Sequence, residues 1–279
     1  QGLREEPTPV WERPKYHERQ RKGQKREPLG PVERRHTRTP AGFAICRLHN
    51  GNLLVIATGF RVHEACTPIS MTQPDPTPFP LDHVIERGAD ADPALALRGE
   101  TLSHADLRTR VGRLAGWLKS QIPETGARIA SWSAKGELTC LLPLAAPRAG
   151  LIHVPINPML KRAQVAHILA DSGASLLIGT PARLTTLEAD DVPSGCTVTG
   201  EGDVLDAARS ADLMPASDAD PEEIAAILYT SGSTGKPKGV VLSHANMWLG
   251  AVSVAHYLRL ASDDVTLAVL PLAFDYGQN

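Results

Sequence analysis

Aromatic residues are scarce in this chain: Trp, Tyr and Phe together make up 4% of its 279 residues. Any core must therefore be built from Ala, Leu, Val and Ile, which a hydrophobic fraction of 42% can supply. Cysteine is also rare. Cys46, Cys66, Cys140 and Cys196 are widely spaced, with no Cys-x-x-Cys pair. That excludes a zinc knuckle or a disulfide framework and fits a reducing, cytoplasmic compartment. Long apolar runs are missing as well. The stretch Leu53 to Ala57 is far too short for a membrane span or a signal-peptide core, so no transmembrane segment is expected. Nor is there a surplus of positive charge. A net charge of −2 predicts no bulk attraction to nucleic acid or to anionic membrane.

The charge is unevenly spread. Residues 1–40 hold eleven Lys/Arg and six Glu, a net +5, which leaves −7 for the remainder. Six prolines and the lack of a periodic apolar pattern mark this stretch as disordered. Mixed charge signs and few aromatics argue against a nucleic-acid arm. Residues 41–70 show no more domain-like pattern. Met71 then opens a Pro-rich run that leads into regular patterning, so Met71 is the expected natural start. Residues 1–70 are expected to be disordered or a non-native upstream segment, and 71–279 the folded part.

From Leu81 onward, short strands alternate with amphipathic helices. Leu81 to Ile85 reads as a short helix with Asp82 as candidate cap. Ala94–Leu97, the Arg98-Gly99 turn and Thr101-Leu102 read as a hairpin. Ser103 and Asp106 approximate a capping box, and Leu107, Val111, Leu114, Ala115 and Leu118 recur at helical spacing. Strands are expected over 127–132, 151–155, 175–178 and 265–270. Helices are expected over 138–146, shortened or kinked by Pro143 and Pro147, over 162–171 with Gly173 as stop, and over 246–260. Residues 181–222 read as a surface helix and loops, whose acidic runs at Asp190-Asp191 and 218–223 are solvated rather than metal-binding. The pattern is that of an α/β fold, a mainly parallel sheet with helices on both faces.

The chain's chemistry concentrates in residues 224–244, IAAILYTSGSTGKPKGVVLSH. An apolar run to Tyr229 is followed by Thr230, Ser231, Gly232, Ser233, Thr234 and Gly235. Lys236, Pro237, Lys238 and Gly239 come next, then a second apolar run and Ser243, a candidate helix cap. The spacing predicts strand, polar loop, strand, then helix. Unshielded backbone N–H groups, several hydroxyls and two ammonium groups suit a polyphosphate. A Walker-type loop fails on the letters, because its first glycine falls on Thr230 and its magnesium hydroxyl on Pro237. The loop also runs into a strand rather than a helix, so the helix-terminus anion site is missing. A nucleophilic Ser231 lacks the Gly-x-Ser-x-Gly elbow, since Tyr229 and Ser233 occupy the glycine positions. His244 beside Ser243 fits packing or capping better than general-base work.

YTSGSTGKPKGV resembles the phosphate-binding signature of the adenylate-forming superfamily, the AMP-forming ligases that include acyl-CoA synthetases and peptide-synthetase adenylation domains. Glu100 to Leu107 and Arg148 to Pro158 resemble two of its structural elements. Pro271 to Gly277 is similar to its acyl-site loop, with Phe274 in place of the frequent His and Asp275 beside it, an FDYG variant found in some bacterial acyl-CoA ligase branches. The resemblance covers about residues 81–279 and implies a partial N-terminal domain of that fold. It implies ATP-dependent activation of a carboxylic acid to an acyl adenylate, with Mg2+, then transfer to the thiol of CoA or of a carrier protein. Thr230, Ser231, Ser233 and Thr234 would donate to the β/γ phosphates. Gly232, Gly235 and Gly239 would admit the backbone, and Lys238 would supply charge, with Lys236 facing solvent. Phe274, Asp275, Tyr276 and Gly277 would border the acid. The family's Thr-Glu element, ribose-binding acid and catalytic lysine do not occur in these 279 residues. A fragment without its own catalytic residue is therefore expected, either inactive alone or only nucleotide-binding.

Overall fold

A computed structural model describes residues 77–231 and 236–273, together with two strands nearer the N-terminus. Those two, β1 (Phe43–Arg47) and β2 (Leu53–Ala57), are short apolar runs that pair antiparallel, with Phe43 opposite Ala57. They lie where the sequence shows no domain-like pattern. Contacts divide the chain into Gln1–Ser70 and Met71–Asn279.

A hairpin of β3 (Pro93–Leu97) and β4 (Glu100–Ser103) turns through Arg98-Gly99, where Gly99 takes φ 87°, a conformation that suits a residue without Cβ. Helix α1 (His104–Gln121) starts on a full capping box. Ser103 Oγ accepts from Asp106 N at 3.1 Å, and Asp106 Oδ2 accepts from Ser103 N at 3.1 Å. The residues at helical spacing, Leu107, Val111, Leu114, Ala115 and Leu118, are all buried.

The main sheet has six strands in the order β10-β9-β6-β5-β7-β8. They are β5 (Arg128–Trp132), β6 (Ile152–Pro155), β7 (Ala174–Gly179), β8 (Thr197–Gly200), β9 (Ile224–Ser231) and β10 (Pro237–Ser243). All neighbours run parallel except β9 and β10. The helices of this part of the chain are α2 (Glu137–Arg148), α3 (Arg162–Ser172), the single turn α4 (Pro181–Leu184), α5 (Glu201–Ala208) and α6 (His244–Leu258). Period-two alternation sorts the strands onto two cores. Ile129, Leu176 and Ile178 pack with α1, α2 and α5, whereas Ala130, Trp132 and Leu177 pack with α3. Near-continuous burial of β5 follows from this double cover. Pro143 and Pro147 lie inside α2 without ending it, and Gly173 ends α3 in the left-handed region at φ 62°.

Three expectations need correction. Asp82 caps nothing: Pro80 holds the cap position of the 3₁₀ helix Leu81–Arg87, and Asp82 is fully buried. Its carboxylate accepts from Arg148 Nε at 2.9 Å, from Ser217 N at 3.0 Å and from Ser217 Oγ at 2.6 Å. A buried guanidinium requires such a partner more than an exposed helix end does. Residues 181–222 contain more than helix and loop, because β8 extends the sheet edge there. Residues 265–270 form no strand. Val265 and Leu267 are 94% and 82% exposed, with no described strand beside them to complete their backbone hydrogen bonds.

Candidate functional site

The motif folds as an antiparallel hairpin at the edge of the sheet, its loop leaving the C-terminal end of β9. In open α/β sheets ligands bind outside those strand ends. The register places Thr230 opposite Lys238, Tyr229 opposite Gly239, and Ser231 opposite Pro237. Directly opposed residues share a face, and adjacent ones alternate. Tyr229 and Ile227 pack into the core under α3, while Ala226 and Leu228 pack on the other side with Leu81 and Met247. Thr230 and Lys238 therefore stand together on the face away from α3, and both are exposed. Lys236 is exposed too.

The buried face explains two letters of the motif. A Cβ on Gly239 would come 2.8 Å from Ile227 Cγ2 and 3.3 Å from Tyr229 Cζ, so glycine leaves the Tyr229 ring its place. That ring reaches α3, where its hydroxyl donates to Asp171 Oδ2 at 2.6 Å. Burial first, and then the Asp171 carboxylate, push the phenol's pKa up, so it stays protonated as the donor. On the other strand, His167 Nε2 lies 3.1 Å from Pro237 O. A carbonyl only accepts, so the ring donates.

Behind the hairpin, Ser243 caps α6 by accepting from Asn246 N at 3.2 Å. His244 is buried, and its Nδ1 accepts from Leu81 N at 3.0 Å. Burial lowers its pKa, so the ring is the neutral acceptor this bond requires. A packing role therefore holds for His244. Beside the hairpin, at the C-terminal ends of β5 and β6, lies a cavity of about 260 Å³. Ser131, Ser133, His153 and Ile156 line it, and Pro271 to Ala273 close one side. Ser133 Oγ and His153 Nδ1 are buried there without a protein hydrogen-bond partner among the described residues.

Of the residues singled out in the sequence, Thr230 and Lys238 come together across the hairpin, with Ser231 beside them on β9. Gly232, Ser233, Thr234 and Gly235 lie outside the described residues, as do Phe274, Asp275, Tyr276 and Gly277. Asp191 pairs with Arg162 at 2.9 Å. Among the described residues no cluster of three or more His, Cys, Asp or Glu side chains is placed to hold a metal. Sequence reasoning missed Asp171 and His167. Their partners are 58 and 70 residues away, and only the sheet order brings α3 beneath the hairpin.

A model of the AMP-binding enzyme family matches residues 81–279. The chain belongs to the AMP-binding enzymes. The chain is 35% identical over 190 residues to feruloyl-CoA synthase of Amycolatopsis sp, covering 67% of this chain and 38% of that protein. It is 31% identical over 199 residues to surfactin synthase subunit 3 of Bacillus subtilis (strain 168), covering 70% of this chain and 15% of that protein. Among solved structures it superposes on apo MatB from Rhodopseudomonas palustris with a TM-score of 0.65 and 28% identity, covering 72% of this chain and 42% of that one. The chain thus spans less than half the length of these relatives. Its fold is part of the N-terminal domain of the adenylate-forming enzymes, a mixed, mostly parallel sheet flanked by helices. No helix among the described residues is long and apolar enough to cross a membrane.

Proposed function

We propose that this chain contributes the phosphate-binding part of an acyl-CoA ligase that makes an acyl adenylate from ATP and a carboxylic acid. The observation that carries the reading is the hairpin register. It sets the Thr230 hydroxyl and the Lys238 ammonium side by side on the open face, at the end of β9. Thr230, Ser231, Ser233, Thr234 and the glycines Gly232, Gly235 and Gly239 would surround the β and γ phosphates, and Lys238 would offset their charge. Such charge-assisted bonds contribute about 1.5–3 kcal/mol each. ATP suits a hairpin that carries hydroxyls and ammonium groups. Mg2+ would arrive on the phosphates, a common mode for this ion, because the described residues offer it no cage.

Chemistry of this kind is mostly positioning and charge neutralisation, and needs no nucleophile from the protein. The carboxylic acid would lie on the side of the cavity that leads through Pro271–Ala273 to Phe274, Asp275, Tyr276 and Gly277. CoA is the proposed acceptor, supported by the likeness to feruloyl-CoA synthase. A second reading, transfer to a carrier-protein thiol, is supported by the likeness to surfactin synthase.

The test is carboxylate-dependent ATP–pyrophosphate exchange, with hydroxamate trapping to identify the acid. An enzyme that carries residues 71–279 within a chain of the relatives' full length is expected to exchange, and Lys238→Ala to weaken exchange by about tenfold or more. Residues 1–279 alone are expected to show none. Exchange by 1–279 refutes the expectation that these residues are inactive alone, and an unaffected Lys238→Ala refutes the phosphate-binding assignment.

A further inference from the structure

His167 and Asp171 take no part in phosphate binding as described, yet both side chains end on the hairpin that carries it. They stand four residues apart on α3, so they share a helix face. Each reaches a different strand. Asp171 accepts from Tyr229 OH on β9 at 2.6 Å, and His167 donates to Pro237 O on β10 at 3.1 Å. The next residue along each strand is a proposed phosphate ligand, Thr230 after Tyr229 and Lys238 after Pro237. The helix is itself firmly seated, because Val165, Ile168 and Leu169 are buried against Ala130, Val154 and Leu177 of the sheet. Gly239 completes the arrangement by leaving room for the Tyr229 ring. The hairpin is otherwise weakly held on its outer side, since β10 is a sheet edge.

We propose that His167 and Asp171 are positioning residues, a two-point clamp that fixes both legs of the hairpin. The clamp holds the Thr230 hydroxyl and the Lys238 ammonium, on the opposite face, at the spacing a diphosphate needs. This inference rests on the phosphate-binding reading of the hairpin. The hydrogen bond to the Asp171 carboxylate changes an equilibrium by about tenfold or more and the one to the neutral Pro237 carbonyl by less, so losing either anchor loosens one leg. If Tyr229 and Asp171 were only a core contact, their loss would loosen every strand alike.

The test uses residues 1–279 as wild type and as Tyr229→Phe, Asp171→Ala, their double variant, His167→Leu and His167→Gln. Amide hydrogen exchange is read without ligand over residues 228–231 and 236–240, with β5 and β7 as internal controls. Calorimetric titration with magnesium pyrophosphate reads binding. Tyr229→Phe and Asp171→Ala are each expected to speed exchange in the hairpin by about tenfold and to weaken pyrophosphate by a similar factor, while β5 and β7 stay protected. Tyr229→Phe combined with Asp171→Ala is expected to add nothing to either change alone, because both remove the same bond. His167→Leu is expected to loosen the β10 leg, and His167→Gln, which keeps an N–H donor, to restore it. Unchanged hairpin exchange overturns the clamp, and so does a uniform rise across all strands or a Gln variant as loose as Leu. A wild type that ignores pyrophosphate defeats the phosphate reading instead, and the exchange arm then still decides whether α3 holds the hairpin.

Discussion

His153 is where single-residue chemistry bears most on the stability of this domain. It sits in the middle of β6, fully buried, with Nε2 3.0 Å from Ser131 Oγ and Nδ1 without a partner among the described residues. Burial alone lowers its pKa to about 3. The folded state therefore keeps the ring neutral, while the unfolded chain protonates it near the ordinary value of 6.5. A depressed folded pKa gives stability that is present above the unfolded pKa and lost as pH falls. The loss starts near pH 6.5 and grows by about 1.4 kcal/mol per unit towards the folded value. His244 shifts in the same direction. Urea midpoints measured from pH 7 to pH 5 are expected to fall, and His153→Gln is expected to flatten part of that slope. A slope unchanged in the variant assigns the acid lability elsewhere. Nothing in the sequence marks His153 as buried, because His on a short strand is compatible with either environment.

At the scale of elements, the residues that write secondary structure into the sequence are the ones that cap, stop and alternate. Ser103 with Asp106, Ser243 before α6 and Gly173 after α3 do in the structure what their side chains or lack of one predict. The alternation on β5 and β7 reads directly as a two-faced sheet. What stays hidden is how elements meet. Gly112 and Gly116 on α1 look like mere weak points in a helix, and the structure shows why they are glycines. The segment Ala211–Met214 crosses α1 so closely that a Cβ on Gly116 would lie 1.9 Å from Asp212 O. In an exposed helix, Gly→Ala stabilises by about 1 kcal/mol. Here Gly116→Ala is expected to destabilise by about 1–3 kcal/mol, because a backbone carbonyl has to be displaced. A shift of the denaturation midpoint to higher urea would contradict that contact. The same limit hid the Asp82–Arg148 pair, since its partners are 66 residues apart. It also misplaced 265–270, whose alternating pattern suits a strand but whose neighbour no periodicity can supply.

For the whole molecule, the motif at 229–239 identifies the family from the letters alone, and the structure adds the reason for its outer positions. Tyr229 and Gly239 serve the buried side, Thr230 and Lys238 the open one. The exposed segment after α6 has a consequence of another kind. Val265, Leu267 and Val269 are 94%, 82% and 73% exposed, and Val241 on the sheet edge is 55% exposed. Alternating exposed apolar residues on a segment outside any described strand are a template for intermolecular pairing. Residues 1–279 are therefore expected to self-associate as concentration rises, seen as a growing mass in light scattering. Leu267→Lys with Val269→Lys is expected to keep the chain monomeric. In a growing polypeptide the same segment leaves the ribosome exposed, so the density of neighbouring chains, as much as the final fold, decides whether this chain reaches its native state or an aggregate.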